Sequence, residues 1–221
     1  MKCAVSDFDR TLSVDGVVSR ENREMVRKWQ EAGNWFVIAT GRNESSLRQR
    51  MGEHPELGEI CPDILVLNNG ALILDRTGKE IFSRELDRET AAGVLSYFDR
   101  ADDAGSGITL RGRNLNVVRR RGMATTQRPC DGEVLLAEAV NMTGILQVHH
   151  RRPDSPETVE KMCRELNALF PRARAYFNVW NADVVAEGVG KAQAVRFLAE
   201  RFGPFEEILT ARQWDFCQLQ L

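Results

Sequence analysis

The chain has 221 residues, of which 43% are hydrophobic, so it can bury the core of one large domain or of two small ones. Its 30 basic and 32 acidic side chains leave a net charge near -2, which excludes a strong overall attraction to nucleic acid or to an anionic membrane. The first acidic residue comes too early for a signal peptide, and no apolar run approaches the roughly 18 residues of a membrane span. We therefore expect a cytoplasmic protein with neither a nucleic-acid nor a membrane partner.

The cysteines are scattered along the chain, odd in number and never arranged as Cys-x-x-Cys. This pattern favours neither a disulfide framework nor a zinc site. We expect reduced and mostly buried thiols at Cys3, Cys61, Cys130, Cys163 and Cys217.

The amino-terminal third alternates between short apolar runs and helical patterns. A buried strand is predicted at residues 3–6, and helical spacing over 19–32 ends at Gly33. A second apolar run, "WFVIATGRN", precedes a polar helical segment at about 44–51, and a third run, "ILVLNNGALI", follows. Such alternation predicts parallel strands joined by right-handed crossovers, which is an α/β layered sheet.

Each of these three runs ends in a polar cluster. Ligands of an open parallel sheet bind at the carboxyl ends of its strands, so the fold would gather the clusters in one crevice. Two carboxylates this close repel each other, and burial adds to their cost, so we expect a bound ion beside the first cluster. The clusters are Asp7-Phe8-Asp9, Thr40-Gly41-Arg42 and Asn68-Asn69-Gly70.

The middle of the chain has a different pattern. Hairpin signals begin at about residue 76, and a helix opened by Asp87, several strand candidates and a helix at 156–170 follow. Near residue 186 the alternation resumes with "EGVGKAQAV", a second helical stretch and the apolar strand "EEILTA". We therefore predict an α/β core from residues 1–75 and 186–221, with an α+β domain inserted at 76–185.

Four of these segments together resemble the motifs of one family. "DFDRTL" has the Asp-x-Asp-x-Thr pattern of the haloacid dehalogenase (HAD) superfamily of phosphohydrolases, and "IATGR" and "EGVGKAQAV" are similar to its second and third motifs. "NNGALI", with about a hundred residues inserted before the lysine, resembles the Cof-like branch, subclass IIB, whose C2-type cap is inserted there. The likeness covers nearly the whole chain and implies a Rossmann-like parallel-sheet core with an inserted α+β cap.

The resemblance also implies a reaction. The chain would be a Mg²⁺-dependent phosphatase of small phosphorylated metabolites, with sugar phosphates as the expected class. Asp7 would attack the phosphoryl group and form an aspartyl-phosphate, and Asp9 would act as general acid and base while its backbone carbonyl contacts Mg²⁺. Thr40 and Lys191 would hold the phosphoryl oxygens.

Other residues of the same motifs are expected on the substrate side of the site, with alternatives left open. Thr11 is favoured to brace its own loop, Arg42 has an equal claim to a capping or ion-pairing role, and Asn-Gly is also a common turn pair. The substrate-side set is Thr11, Gly41, Arg42, Asn69 and Gly70.

The last residues depart from the family pattern. After a strand such as "EEILTA" the superfamily has a Gly-Asp motif with a second acid that completes the metal site, whereas this chain has "ARQWDFCQLQL". We therefore expect a truncated or altered carboxyl end, reduced activity, and Asp215 as a substitute metal ligand beside Asp7 and Asp9. Two alternatives stay open: a phosphate-ligand binding protein without turnover, and a phosphotransferase of the phosphosugar mutase type.

The inserted segment carries fewer signals. His149 and His150 are neighbours in a predicted strand and should point to opposite faces, so shared metal ligation is disfavoured. Five arginines between residues 111 and 121 are expected on a solvated outer face. A turn containing Asn178, Trp180 and Asn181 could reach a ligand, but no single residue of it is assigned.

Overall fold

We describe the protein from a computed structural model, which covers residues 1–53, 59–101, 105–122 and 130–211. Contacts divide the chain into two units. The first contains residues 1–42, 46–82 and the segment from 190 onward, and the second contains 43–45 and 83–189. Each unit is built on its own six-stranded sheet. No helix in the described ranges is long and apolar enough to cross a bilayer.

The sheet of the first unit is mainly parallel. Its strands are β1 (Cys3–Ser6), β2 (Trp35–Ala39), β3 (Ile64–Leu67), β4 (Leu72–Asp75), β5 (Glu80–Ser83) and β12 (Ile208–Ala211). They lie in the order β12-β1-β2-β3-β4-β5, where β12, β1, β2 and β3 run parallel and β4 runs antiparallel to β3. Helices α1 (Arg20–Glu31), α2 (Glu44–Glu53) and α6 (Lys191–Phe202) belong to the same segments. The parallel pairing of these strands agrees with the sequence-based prediction.

Burial on both faces explains the nearly continuous apolar runs of these strands. Val37 and Val66 pack with Ala194 and Leu198 of α6 in one core cluster. Trp29 of α1 is 1% exposed, and its indole N–H donates to the carbonyl of Trp35 at 2.8 Å. The apolar side chains therefore hold the central strands, and polar groups begin where those strands end.

The third apolar run differs from the prediction, because the structure breaks it into two strands. A 3₁₀ turn at Asn68–Gly70 reverses the chain, so β4 returns antiparallel to β3. The following hairpin belongs to this sheet, and Ile81 and Phe82 pack against its core. The observed division between the units therefore falls at residue 83 instead of 76, and at 190 instead of 186. A turn signal locates a hairpin but does not say which sheet the hairpin joins.

The second unit has a mostly antiparallel sheet. Its strands are β6 (Ser106–Leu110), β7 (Arg113–Val118), β8 (Gly132–Leu135), β9 (Gln147–Arg151), β10 (Ala173–Asn178) and β11 (Asn181–Ala186), in the order β10-β11-β9-β6-β7-β8. The β7–β8 pair is parallel. Helices α3 (Arg88–Ala101), α4 (Leu136–Ala139) and α5 (Pro156–Leu169) accompany the sheet. Strand β8 and helix α4 were not predicted.

The two long helices of this unit each bury one apolar face. On α3 these are Ala91, Val94, Leu95 and Phe98, and on α5 they are Val159, Met162, Cys163 and Leu166. The ring of His150 stacks on Phe98 with centroids 4.4 Å apart, and its Nδ1 lies 2.8 Å from Ser106 Oγ. His149 lies on the other face of the sheet, against Gly107. The prediction that the two histidines point to opposite faces is confirmed.

Candidate active site

Asp7 follows the last residue of β1, and one oxygen of its carboxylate is already occupied. Oδ1 accepts the backbone N–H of Phe8 at 2.8 Å and lies 2.9 Å from Lys191 Nζ. No group of the described residues donates to Oδ2. The Asp7 side chain is 36% exposed.

The loop that follows is anchored by two buried apolar side chains. Phe8 is 2% exposed and Leu12 is 0% exposed. Backbone bonds close the loop, from Leu12 N to the carbonyl of Asp7 at 3.2 Å and from Ser13 N to the carbonyl of Phe8 at 2.8 Å. Because Phe8 points inward, Asp9 is left half-exposed. Thr11 is buried at 7% exposure.

Arg42 binds the carboxylate of Asp9 with two parallel hydrogen bonds. Its Nε donates to Asp9 Oδ2 at 2.8 Å, and its Nη2 donates to Asp9 Oδ1 at 2.7 Å. The remaining Nη1 donates to Ser46 Oγ at 2.9 Å, and the guanidinium lies 5.7 Å from the centre of the Phe8 ring. Such a fork fixes the orientation of the carboxylate as well as its position. Of the two roles left open for Arg42, the structure shows the ion pair.

Thr40 stands at the end of β2, and its loop is bonded to the next strand end. The Thr40 N–H donates to the carbonyl of Val66 at 2.8 Å, while Thr40 Oγ1 accepts the N–H of Arg42 at 3.1 Å. In turn, Asn69 N donates to the carbonyl of Thr40 at 3.0 Å. Thr40 is 1% exposed, and Gly41 lies between it and Arg42. The first three predicted clusters are therefore contiguous in space.

Lys191 begins α6, where the helix dipole and the unpaired backbone N–H groups favour an anion. No acidic residue stands in the first turn of this helix. Asp7, from the other end of the chain, supplies the negative charge at 2.9 Å. The lysine and the helix start together form a positive environment beside the Asp7 carboxylate.

The site thus contains two ion pairs, which changes one expectation. The sequence predicts that a bound ion relieves the repulsion between Asp7 and Asp9, whereas here each carboxylate faces its own cation, Lys191 or Arg42. The described part of the chain contains no group of three His, Cys, Asp or Glu side chains that could hold a metal ion. Asp215 lies outside the described residues, so its predicted role as a metal ligand stays a prediction.

Some contributing residues had no clear sequence signal. Ser46, four residues after Arg42 on α2, fixes the guanidinium, and helical spacing could have suggested it. Gly190 carried no signal, because only the fold brings it to the turn at Asn68–Gly70. In the second unit, Arg119 forms an ion pair with Asp99, and Arg121 forms one with Glu138. Both arginines are exposed, as expected of a solvated outer face.

The turn proposed as a ligand contact in the second unit is divided between two environments. Trp180 is 42% exposed at the end of the β10–β11 hairpin, whereas Asn181 is 6% exposed as the first residue of β11. Asn178 pairs with Asn181 across the hairpin. None of the three acquires a functional assignment from this geometry.

The chain was compared with known families and proteins. A family model described as haloacid dehalogenase-like hydrolase matches residues 4–209. Among curated proteins, the chain is 31% identical over 99 residues to the 5-amino-6-(5-phospho-D-ribitylamino)uracil phosphatase YwtE of Bacillus subtilis (strain 168), a match that covers 44% of this chain. The matched segments span 37% and 32% of two curated relatives, so the chain spans about a third of their length.

Solved structures match over most of the chain. The HAD subclass IIB sugar phosphatase BT4131 is similar with a TM-score of 0.76 at 18% identity, covering 95% of this chain and 80% of that one. A haloacid dehalogenase-like hydrolase from B. subtilis has a TM-score of 0.75 at 19% identity, covering 95% and 82%. Likeness at this level of identity shows the fold, and it confirms the predicted class of an α/β core with an inserted α+β cap.

Proposed function

Because the chain belongs to the haloacid dehalogenase-like hydrolases, we propose that it is a magnesium-dependent phosphatase that acts through an aspartyl-phosphate on Asp7. Membership of this family confirms the resemblance seen in the four motifs. One observation carries the proposal: Asp7 has one oxygen held by Lys191 and a backbone N–H, and a second oxygen with no donor in the described chain. A carboxylate oriented in this way has a defined oxygen with which to attack phosphorus.

In the first half-reaction, Asp7 Oδ2 forms a bond to phosphorus and the bond from phosphorus to the ester oxygen breaks. The leaving oxygen takes a proton from Asp9 acting as general acid. In the second half-reaction, Asp9 accepts a proton from water, the water oxygen bonds to phosphorus, and the bond from phosphorus to Asp7 breaks. Orthophosphate is released, and both aspartates return to their starting forms.

The two hydrogen bonds from Arg42 affect both roles of Asp9, as general acid and as general base. With both oxygens accepting hydrogen bonds from the guanidinium, Asp9 is arranged as an ionised acceptor, which suits the base step. Donating a proton to the leaving oxygen requires one oxygen of Asp9 to leave the fork and to take up a proton from solvent. We propose that this exchange accompanies substrate binding.

Lys191 and Thr40 would bind the transferring phosphoryl oxygens. Thr40 Oγ1 accepts a hydrogen bond from Arg42 N, so its own hydroxyl proton can be donated to a ligand. Asn69 Nδ2 is buried and has no hydrogen-bond partner among the described residues, so a phosphoryl oxygen would satisfy it. These donors and the lysine charge would stabilise the equatorial oxygens of the phosphoryl group.

The donor set fits magnesium in its chemistry. Mg²⁺ prefers oxygen ligands and is commonly bound by one or two carboxylates together with water and substrate phosphate. Asp7 would hold it through the carboxylate oxygen that does not attack phosphorus, with the backbone carbonyl of Asp9 that the family resemblance implies, because the Asp9 carboxylate is engaged by Arg42. When bound, the ion would offset the phosphate charge.

Substrates of this chain are proposed from its relatives. The matched proteins include a phosphatase named for a phosphoribitylamino-uracil and a phosphatase named for sugars. We propose small phosphorylated metabolites, with sugar phosphates first, as the substrate class. The cytoplasmic location stays a prediction.

The test is Mg²⁺-dependent release of phosphate from an aryl phosphate and a panel of sugar phosphates. We expect Asp7→Asn to abolish release, because the amide is a poor nucleophile. Asp15→Asn is the matched control, since Asp15 is exposed, lies eight residues further along, and has a positive φ of 50° that Asn also adopts. Equal activity of the wild type and Asp7→Asn would contradict the proposal.

The two ion pairs give the non-catalytic alternative a specific basis, because they hold the site together without a metal. Orthophosphate binding by calorimetry, with no turnover at any magnesium concentration, would favour this binding protein. A product that forms only when a second sugar is supplied would favour the phosphotransferase.

A further inference from the structure

The turn at Asn68–Gly70 has an unusual backbone. Three successive residues have positive φ, with values of 51° for Asn68, 56° for Asn69 and 106° for Gly70. Two of them are asparagines, which adopt this left-handed region more readily than other residues with a side chain, and the third is glycine. The residue types therefore suit the turn that the structure shows.

Hydrogen bonds join this turn to the loop after β2. Asn68 N donates to the carbonyl of Arg42 at 2.9 Å, and Asn69 N donates to the carbonyl of Thr40 at 3.0 Å. These bonds hold the backbone on both sides of Gly41. The turn therefore supports the residue that would bind a phosphoryl oxygen and the arginine that holds Asp9.

On its other side, the turn lies directly against the start of α6. A Cβ atom at Gly70 would lie 2.7 Å from the carbonyl oxygen of Gly190 and 3.0 Å from its carbonyl carbon. That oxygen accepts the N–H of Ala194 at 2.9 Å, the first hydrogen bond of the helix. Because both partners are backbone, neither can rotate away from an added methyl group.

Lys191 is the next residue after Gly190, and its Nζ lies 2.9 Å from Asp7 Oδ1. We propose that Gly70 is a positioning residue. Because it has no side chain, the turn can pack against Gly190 and thereby place Lys191 beside Asp7. This inference rests on the proposed function and names a determinant of its phosphoryl-oxygen binding. Gly70 was expected on the substrate side, whereas the geometry assigns it a role through Lys191.

The first experiment is a double-mutant cycle of Gly70→Ala with Lys191→Ala, measured as orthophosphate binding in the presence of Mg²⁺ by calorimetry. In the chain that keeps Lys191, we expect Gly70→Ala to weaken orthophosphate binding about tenfold, which lies in the range of coupling between residues of one network. In the Lys191→Ala background, the same change should have little further effect. Where the chain turns over substrate, Gly70→Ala should lower kcat by up to about a hundredfold, as misplaced groups do.

Gly33→Ala is the matched control, because Gly33 also has a positive φ, of 78°, but has no atom within 4 Å of its added Cβ. It carries the backbone strain of the substitution without the contact, so it should leave orthophosphate binding unchanged. Circular dichroism and thermal unfolding check that each variant folds. If Gly70→Ala does not fold, Asn68→Ala enters the same cycle, since alanine tolerates a φ of 51° less well than asparagine and would relax the turn.

Equal weakening of binding by Gly70→Ala in both lysine backgrounds would overturn the inference and leave Gly70 a general structural residue. An equal effect of Gly33→Ala would do the same. If Gly70→Ala binds orthophosphate normally while Asp7→Asn abolishes turnover, the positioning inference fails and the proposed function stands. If the cycle shows coupling but no variant turns over any phosphate ester, the inference stands and the proposed hydrolysis fails. A wild-type chain that binds no orthophosphate would overturn the inference, and phosphate release would still decide the proposed function.

Discussion

The two sheets of this protein carry their polar side chains in different places. In the first unit, β2 and β3 are apolar along their length, and polar groups begin at Thr40 and Asn68, where those strands end. In the second unit, polar side chains lie along the strands on one face of the sheet, and none is more than 7% exposed. They are Thr109, Asn114, Asn116, Gln147, His149, Asn181 and Asp183.

Connectivity explains the difference. Parallel strands need crossover helices on both faces of a sheet, so both faces are apolar and only the strand ends are open to polar chemistry. An antiparallel sheet needs apolar side chains only where helices cover it, as Phe98 of α3 does at His150. Substitutions at the strand ends of the first sheet should therefore change catalysis, whereas substitutions along the polar face of the second should first change stability.

The largest expected effect beyond Asp7 is at the strand-end fork between Arg42 and Asp9. Arg42→Lys replaces two hydrogen bonds with a single point contact, so Asp9 loses its fixed orientation. We expect kcat for an aryl phosphate to fall about a hundredfold, the cost of a misplaced catalytic group. The free energy of unfolding should fall by less than about 1 kcal/mol, because the pair is partly exposed.

Arg27→Lys is the control for that change, since Arg27 forms an exposed pair with Glu31 on α1. Phosphate release and urea unfolding are measured for both variants. A large loss of stability in Arg42→Lys, with kcat retained, would break the distinction between the strand ends and the polar face.

A smaller effect, on stability, is expected on the polar face of the second sheet. A Cβ at Gly107 would lie 2.4 Å from His149 Nε2 and 2.9 Å from the carbonyl oxygen of Leu115. Gly107→Ala should lower the free energy of unfolding by about 1–3 kcal/mol, as overpacking does. Urea unfolding measures it. A loss below about 0.5 kcal/mol, the size expected of an ordinary surface substitution, would contradict the prediction.

The smallest effect concerns a feature that the two units share. Burial raises the pKa of the thiols of Cys3, in the first unit, and Cys163, in the second, from 9.0 to about 12. Burial favours the neutral form of each thiol. The contribution of these two thiols to the free energy of unfolding is therefore complete below pH 9 and is lost as the pH rises toward 12.

Native labelling at pH 8 with an aromatic disulfide should modify the exposed Cys61 and leave the thiols of Cys3 and Cys163 unmodified. Rapid labelling of either would show that its unit opens.

Several parts of the fold could be predicted because they depend on local patterns. Helical spacing placed α1 between residue 19 and Gly33, and the structure adds its capping side chain, since Ser19 Oγ accepts the N–H of Asn22 at 3.1 Å. The predicted hairpin exists, but its sheet was assigned wrongly. Its membership depends on Ile81 and Phe82 meeting residues far away in the sequence, which a local pattern does not record.

By itself, the sequence determined which residues enter the site, because the end of each apolar run sets the point at which polar side chains leave a buried strand. Asp7, Asp9 and Thr40 were placed in this way, whereas Lys191 was named by the family resemblance, and the model of that family matches residues 4–209. Only the tertiary structure decided which cation faces which carboxylate, and which oxygen of Asp7 stays open. It also brought Gly70 against Gly190, 120 positions later in the chain. The physical reason is that hydrogen bonds, charge pairs and steric contacts act over a few ångströms in space, while the partners that they join are set by strand order and not by sequence distance.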